Sequence, residues 1–185
     1  METIIVLAVV ALIGLWAVGA FNKLVRLRNL TAEGWSGIEA QLKRRFDLIP
    51  NLVETVKGYA THERTTLDEL ARLRSSAGAQ SSDPATRGAA EAQISAMIGK
   101  VFAVAEAYPD LKASANFQGL QTSLSDVEDQ IQLARRYYNG TVRELNTSIE
   151  QIPTNLLASV GGFKQAAFFQ IDNESERAVP KVSFS

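Results

Sequence analysis

The chain starts with a long apolar run that no charged residue interrupts. Residues 4–21 have the sequence IIVLAVVALIGLWAVGAF, and a helix of this length is about long enough to cross the hydrocarbon core of a bilayer. A buried helix of a soluble core is disfavoured because the run has no polar face. A cleaved secretory signal is the other alternative: residues 18–20 would suit a cleavage site, but the basic n-region is missing. The pattern predicts one uncleaved transmembrane helix over 4–21.

The charges beside this run predict its orientation. Only Glu2 precedes it, whereas Lys23, Arg26 and Arg28 follow it. Basic residues next to a transmembrane helix favour the cytoplasmic side. We therefore expect residues 1–3 to form a short extracytoplasmic N-terminus and the bulk of the chain to be cytoplasmic. The three basic residues are predicted to contact lipid headgroups.

After the apolar run, apolar residues recur every three or four positions, which is the period of an amphipathic helix. A first helix is predicted over about residues 22–46 and a second over about residues 50–74. Asp47 can cap the second helix, and Pro50 suits a first helical turn while disfavouring helical angles at Ile49. Asp47 and Pro50 are thus predicted to form a helix corner. The pattern leaves open a tight turn between antiparallel helices or a kink in one continuous helix.

Two further helices follow a loop rich in Ser, Ala and Gly at residues 75–88. Asp83 and Pro84 predict the cap and first residue of the third helix, which should stop near Tyr108, ahead of Pro109. The fourth and longest helix has apolar residues at alternating spacings of three and four over five heptads, which predicts a coiled-coil-like packing seam. Its positions are Phe117, Leu120, Leu124, Val127, Ile131, Ala134, Tyr138, Leu145 and Ile152, with Thr141 and Ser148 as polar interruptions.

Together these segments predict an all-α protein. Residues 22–152 would form an antiparallel four-helix bundle with long helices, preceded by the one N-terminal transmembrane helix. No breaker separates the transmembrane helix from the first bundle helix, so the two could be one continuous helix.

The tail over residues 153–185 is predicted to be amphipathic and aromatic. Two alternatives are open for its apolar side chains: the tail folds back on its own bundle, or it packs on a neighbouring chain or on the bilayer surface. The second alternative predicts oligomer or membrane contacts at Leu156, Leu157, Val160, Phe163, Phe168 and Phe169.

Composition excludes several classes of function. With 19 basic and 20 acidic residues and a net charge of −1, the chain lacks the basic surplus that nucleic-acid binding needs. It has no cysteine and one histidine, His62. The His62-Glu63 pair is not followed one turn later by a second histidine, since Thr66 stands there, so the zinc-protease motif is incomplete. No catalytic residue, cofactor site or metal site is predicted. The paired carboxylates on helices are predicted to lie on solvent-exposed faces.

The triplet Lys43-Arg44-Arg45 is too far from the transmembrane helix for a headgroup patch. About 20 residues separate them, on the order of 30 Å of helix, which exceeds the Debye length of about 8–10 Å. The triplet is expected to meet acidic residues of a partner helix, or solvent, on the outer face near Pro50.

Several stretches together resemble the LemA family of bacterial membrane proteins. They are FNKLVRLRN, WSGIEAQLKRRFDLIPNLVETVKGYATHE, YPDLKASANFQGLQ, ARRYYNGTVRELN and IPTNLLASVGGF, in this order. The resemblance implies a single N-terminal membrane helix with a cytoplasmic helical bundle in the bacterial inner membrane. It brings no agreed enzymatic activity and no catalytic residues. The chain departs from the family pattern at Gly34, Glu39 and Ile152, where Ala, Asp and Phe are usual.

Three hypotheses for the function follow from these features. The first is a non-enzymatic scaffold in the bacterial envelope that self-assembles as a homo-oligomer on the lipid bilayer. The second is an adaptor that binds another membrane protein, such as a membrane metalloprotease, through an exposed stripe near Trp35 and Pro50. The third is an enzyme or metal protein, for which His62 is the cheapest residue to test. The heptad seam, the unbroken path from the transmembrane helix into the first bundle helix and the aromatic tail favour the first function.

Overall fold

The structure is a computed structural model that describes residues 1–60, 62–78 and 83–170. The described residues are helical and contain no strand, which confirms the all-α class. They divide into two compact units: the described residues of 1–38 and 134–168 form one, and those of 39–133 and 169–170 form the other. The helices are α1 (Glu2–Lys57), α2 (Arg64–Gly78), α3 (Pro84–Ala105), α4 (Pro109–Lys112), α5 (Ala115–Glu150) and α6 (Thr154–Val160).

Helix α1 is continuous from Glu2 to Lys57 and has one buried face after the apolar run. Thr31, which interrupted the apolar pattern in the sequence, belongs to this face because its hydroxyl donates to the Leu27 carbonyl oxygen at 2.9 Å. Polar and small residues therefore fit an apolar seam wherever their polar atoms are satisfied. The face repeats at spacings of three and four: Leu24, Leu27, Thr31, Gly34, Ile38, Leu42, Arg45, Ile49, Leu52 and Val56.

No helix corner forms at Asp47 and Pro50. Pro50 lies inside α1, so of the two alternatives the tight turn is excluded and one continuous helix forms, and the predicted second helix is divided between the end of α1 and α2. Asp47 caps no helix; its carboxylate pairs with Lys43 one turn earlier at 3.4 Å. The helix ends instead at Lys57, and α2 begins at Arg64. Tyr59, which the sequence pattern placed inside the second helix, lies after the end of α1 and is exposed.

A contact from α2 explains how α1 continues through a proline. Pro50 has no N–H, so the carbonyl oxygen four residues earlier, at Phe46, loses its helical donor. Arg74 supplies the missing donor, because its Nε lies 3.0 Å from that oxygen. The Arg74 guanidinium carbon also stacks 3.8 Å from the centroid of the Phe46 ring. The Phe46 carbonyl oxygen thus keeps a hydrogen-bond donor, which a side chain from outside α1 supplies.

The second unit is built around an apolar core to which four long helical segments contribute. Fully buried residues come from the end of α1 (Leu52), from α2 (Leu70), from α3 (Val101) and from the start of α5 (Phe117). The short helix α4, which the sequence pattern did not predict, adds Leu111. The burial of large aliphatic and aromatic side chains is the main stabilising contribution.

The first unit brings α1 and α5 very close together at Gly34. A Cβ atom on Gly34 would lie 3.2 Å from the Cα of Tyr138, which is tighter than ordinary contact. Trp35 packs beside it, with its ring centroid 5.5 Å from that of Tyr138. The glycine at this position therefore permits the close approach of the two helices.

The predictions for the third and fourth helices are confirmed in their main features. The Asp83 carboxylate accepts the Thr86 N–H at 3.0 Å as the N-cap of α3, and Pro84 is its first residue. The Thr86 hydroxyl and then its N–H lower the pKa of Asp83. Along α5 most of the predicted heptad seam is buried, including the polar positions Thr141 and Ser148. Ile152 is exposed, since α5 ends at Glu150 before reaching it.

The pairing of Arg74 with the Phe46 carbonyl predicts a specific energetic coupling to Pro50. We expect Arg74→Met to cost about 1–3 kcal/mol, the range for leaving a partly buried acceptor without a donor. In the Pro50→Ala background, the restored N–H at residue 50 can satisfy that acceptor, so Arg74→Met should cost less. The measurement is a double-mutant cycle on the free energy of unfolding of the full chain in mild detergent. Arg72→Met is the control, because Arg72 is exposed and its guanidinium bonds the Glu69 carboxylate on the surface of α2. Equal costs of Arg74→Met in both backgrounds would rule the compensation out.

Candidate functional site

The apolar run at the start of α1 is the most exposed apolar surface of the described chain. It is long and apolar enough to cross a membrane, and none of this apolar stretch is buried inside the chain. Exposed aliphatic side chains over that length require an apolar environment such as lipid. The segment is therefore a candidate membrane anchor.

The three basic residues after the anchor lie where a headgroup layer would meet α1, but they are not equivalent. Lys23 and Arg26 are exposed. Arg28 is also exposed, yet its guanidinium carbon lies 5.3 Å from the centroid of the Phe163 ring. Arg28 thus makes a cation–π contact inside the first unit, in addition to any role toward lipid.

The six tail residues predicted as oligomer or membrane contacts differ in exposure: two are buried, two are half-buried and two are exposed. Phe163 is buried against Leu24 and Ala158, and Phe169 is fully buried. The prediction that these two phenylalanines contact another chain or the bilayer is therefore wrong, because their own chain already covers them. Leu157 and Phe168 are half-buried, and Leu157 packs on the same small cluster as Phe163. The prediction for residues beyond 170 lies outside the described residues.

Hydrogen bonds from α5 hold the folded-back segment in place. Asn146 bonds Ala166 in both directions: its Nδ2 donates to the Ala166 oxygen at 3.0 Å, and its Oδ1 accepts the Ala166 N–H at 2.9 Å. The Tyr138 hydroxyl donates to the Ala167 oxygen at 2.8 Å. Side chains thus satisfy the backbone of an extended segment that has no strand partner here. Sequence reasoning missed Asn146; its only signal was a polar residue directly after the seam position Leu145.

A glycine in α3, Gly88, permits a close approach of the tail to that helix. In the second unit, a Cβ atom on Gly88 would lie 2.0 Å from the carbonyl oxygen of Gln170. Real Cβ atoms do not come this close to a backbone oxygen, so only glycine is compatible with the observed path. The tail is therefore an integral part of the fold as far as residue 170.

Three exposed aliphatic residues remain after α5, and we name them the α6 patch: Ile152, Leu156 and Val160. Their exposed fractions are 85%, 67% and 90%. Of the six predicted tail contacts, only Leu156 and Val160 are thus left uncovered by the described residues of their own chain. Ile152 joins them, although the sequence had placed it in the seam of α5.

The basic triplet is divided by the fold. Lys43 and Arg44 are exposed, whereas Arg45 is one of the largest fully buried side chains. Arg45 donates to Glu128 Oε2 at 2.8 Å and to Ser95 Oγ at 2.6 Å, and it pairs with the carboxylate of Glu91. The expectation that the triplet meets acidic residues of other helices is right for Arg45, but the expected outer-face location is wrong for it.

A cavity of about 250 Å³ lies beside this buried ion cluster. Its wall includes the charged residues Lys43, Arg45, Arg87 and Glu91. Each of these charges has an ion-pair partner within the second unit: Asp47 for Lys43, Glu39 and Glu91 for Arg87, and Glu91 and Glu128 for Arg45. The charges of the wall are therefore paired within the fold and do not by themselves indicate a ligand.

His62, the one histidine of the sequence, lies near the end of α1. It lies in the segment between α1 and α2, not on a helix, and is exposed. Its neighbour Glu63 accepts a hydrogen bond from the Tyr108 hydroxyl at 3.3 Å, and burial, followed by the charge of Glu63, raises the pKa of Tyr108. Within residues 1–60, 62–78 and 83–170, no three His, Asp or Glu side chains cluster as metal ligands do.

The buried ion cluster predicts a large difference between two adjacent arginines. Arg45→Met should destabilise the protein by about 3–5 kcal/mol because it leaves the Glu91 carboxylate buried without its main partner. Arg44→Met, the matched control on the exposed side of α1, should stay within about 0.5 kcal/mol. Urea unfolding of the full chain in mild detergent, followed by far-UV circular dichroism, measures both. Similar values for the two variants would contradict the assignment of Arg45 as a structural cation.

Known proteins are similar to this chain over most of its length. The model of the LemA family matches residues 34–184. The chain is 31% identical to Protein LemA of Metamycoplasma hominis over 86% of this chain and 73% of that protein. It is 27% identical to Magnetosome protein MamQ 2 of Paramagnetospirillum magneticum, over 89% of this chain and 70% of that protein. It is 25% identical to Magnetosome protein MamQ of Magnetospirillum gryphiswaldense, over 80% and 64% respectively. The chain therefore belongs to the LemA family.

Proposed function

We propose that this protein is a non-enzymatic, membrane-anchored helical-bundle protein that self-assembles as a scaffold in bacterial envelope or membrane organisation. The observation that carries the proposal is the separation of its surfaces. The buried charges around Arg45 form ion pairs with one another. The uncovered apolar residues concentrate in the anchor and in the α6 patch. A chain with this distribution offers contact surfaces rather than reactive groups.

Anchoring itself favours assembly. Chains held in one membrane have a high effective concentration, so contacts that are weak in solution become sufficient. The coiled-coil-like seam predicted for α5 is compatible with helices that also pack against neighbouring copies. Two relatives are named magnetosome proteins, which is compatible with a role in an organised membrane structure.

The adaptor hypothesis loses part of its predicted surface. The stripe near Trp35 and Pro50 was expected to be exposed, but Trp35 is half-buried and packs on Tyr138. Pro50 is half-buried within α1, one turn after the Phe46 carbonyl that Arg74 bonds. An adaptor that binds a membrane protein, such as a metalloprotease, is the alternative that the assembly experiment distinguishes.

We further propose that the protein resides in the bacterial inner membrane with residues 1–3 outside and the bulk of the chain in the cytoplasm. The charges support this orientation, because Lys23, Arg26 and Arg28 follow the anchor and only Glu2 precedes it.

The orientation can be tested with single cysteines, because the chain has none of its own. In intact spheroplasts, a membrane-impermeant maleimide should label the Thr3→Cys variant and should not label the Arg136→Cys variant until the cells are lysed. Both positions are exposed, so accessibility within the protein does not limit either reaction. Labelling of residue 136 in intact spheroplasts, with residue 3 protected, would reverse the proposed topology.

Self-assembly predicts that differently tagged copies of the full chain associate in one membrane. Pulling down one tag from gently solubilised membranes should recover the other, and electron microscopy of the purified material should show regular particles larger than one chain. The control mixes separately prepared membranes after solubilisation, where exchange should be far lower. Monomers throughout would refute the scaffold, and recovery of a different membrane protein at fixed stoichiometry would establish the adaptor instead.

A further inference from the structure

We propose that the α6 patch inserts into the membrane interface beside the anchor and gives each chain a second contact with lipid. The inference rests on the proposed membrane anchoring, and it deepens it by adding a surface outside the transmembrane segment. The ligand is the headgroup and upper acyl region of a bilayer, with anionic headgroups favoured.

Direct contacts place α6 at the end of the anchor. Phe21 is the last residue of the apolar run, and its ring centroid lies 5.5 Å from that of Phe163 in an edge-on arrangement. Gly161, the residue after α6, is packed so tightly that a Cβ atom on it would lie 2.8 Å from the Phe21 ring. If the run spans the bilayer, its last residue lies near the interface, and α6 lies at the same level.

The composition of this region suits an interfacial position. Residues 151–163 include no charged side chain. The three patch residues are aliphatic and mostly exposed, and such side chains lower the free energy by entering the boundary between headgroups and acyl chains. A water-facing position would leave all three solvated with no compensating contact.

Basic residues surround the same level of the first unit. Lys23 and Arg26 are exposed on α1, and Lys164 is exposed just after α6. Positive side chains beside an apolar patch are the arrangement that binds anionic membrane surfaces. Arg28 is partly used in its contact with Phe163 and carries less of this argument.

A second copy of the chain is the competing occupant, and the patch is small for it. Stable protein interfaces bury roughly 1,200–2,000 Å² in total, which three aliphatic side chains cannot supply alone. A bilayer sets no such minimum, because the anchor already holds the chain at its surface. The geometry therefore points to lipid.

The test uses nitroxide labels at single cysteines in the full chain, reconstituted into vesicles of phosphatidylethanolamine and phosphatidylglycerol. The variants are Ile152→Cys, Leu156→Cys and Val160→Cys. The controls are Arg143→Cys and Glu144→Cys, exposed positions on α5 in the same unit. Collision rates with oxygen, which concentrates in lipid, and with a water-soluble nickel chelate report whether each label lies in lipid or in water.

We expect the ratio of oxygen to nickel collisions to be several-fold higher at the patch than at the controls. Equal ratios at patch and control positions would place the patch in water and overturn the proposal. Protection from both reagents, with spin–spin broadening that unlabelled chain relieves, would assign the patch to a second copy and would also overturn it. Circular dichroism checks that each labelled variant keeps its helices.

A label at Leu12→Cys separates this inference from the anchoring on which it rests. Residue 12 lies in the middle of the apolar run and is exposed. A strong oxygen preference there, together with water-like values at the patch, would disprove the α6 contact and leave the anchor intact. Water-like values at residue 12 as well would disprove the anchoring itself, and with it the inference drawn from it.

Discussion

The hydrogen bond from Arg74 to the Phe46 carbonyl oxygen is the interaction on which α1 depends. It replaces the donor that Pro50 lacks, at a distance of 3.0 Å, and the same guanidinium stacks on the Phe46 ring. Because of it, the seam of α1 keeps its spacing through the proline as far as Val56. Without a substitute donor, a proline at this position would be expected to break or kink the helix.

The distribution of charge and apolar surface follows from how these helices pack. Arg45 occupies a seam position of α1, and burying it requires the carboxylates that Glu91 and Glu128 contribute from α3 and α5. These polar groups are committed to the fold. The apolar surface that the described chain leaves uncovered lies mainly in the anchor and in the α6 patch, which is why we propose a function based on contact with membranes and with other copies.

Periodicity predicted the parts of the structure that local sequence determines. The seam of α5, the Asp83 cap and the exposed apolar run follow from residue spacing and side-chain type alone. Residue spacing left both a tight turn and a continuous helix open at Pro50, because the donor that satisfies the Phe46 carbonyl, Arg74, belongs to another helix. The burial of Arg45 and the hydrogen bonds of Asn146 to the Ala166 backbone likewise depend on partners distant in sequence, between 20 and 83 residues away. Such pairings have no periodic signal.

The tail shows the same limit for the candidate site. A pattern of apolar residues predicted that Leu156 and Phe163 share one role, yet Phe163 is buried against Leu24 while Leu156 is exposed. Leu156 lies on the exposed side of α6, whereas Phe163 follows Gly162, whose φ is 67°. Glycine adopts that backbone angle readily, and the sequence alone does not say that it does so here.

Electron cryotomography of vesicles that carry the reconstituted full chain tests the central claim most directly. If the protein is a self-assembling membrane scaffold, the tomograms should show regularly spaced protein density in patches on the membrane, with bare membrane between them at low protein-to-lipid ratio. Single chains scattered evenly over the vesicles, at every ratio of protein to lipid, would contradict the account.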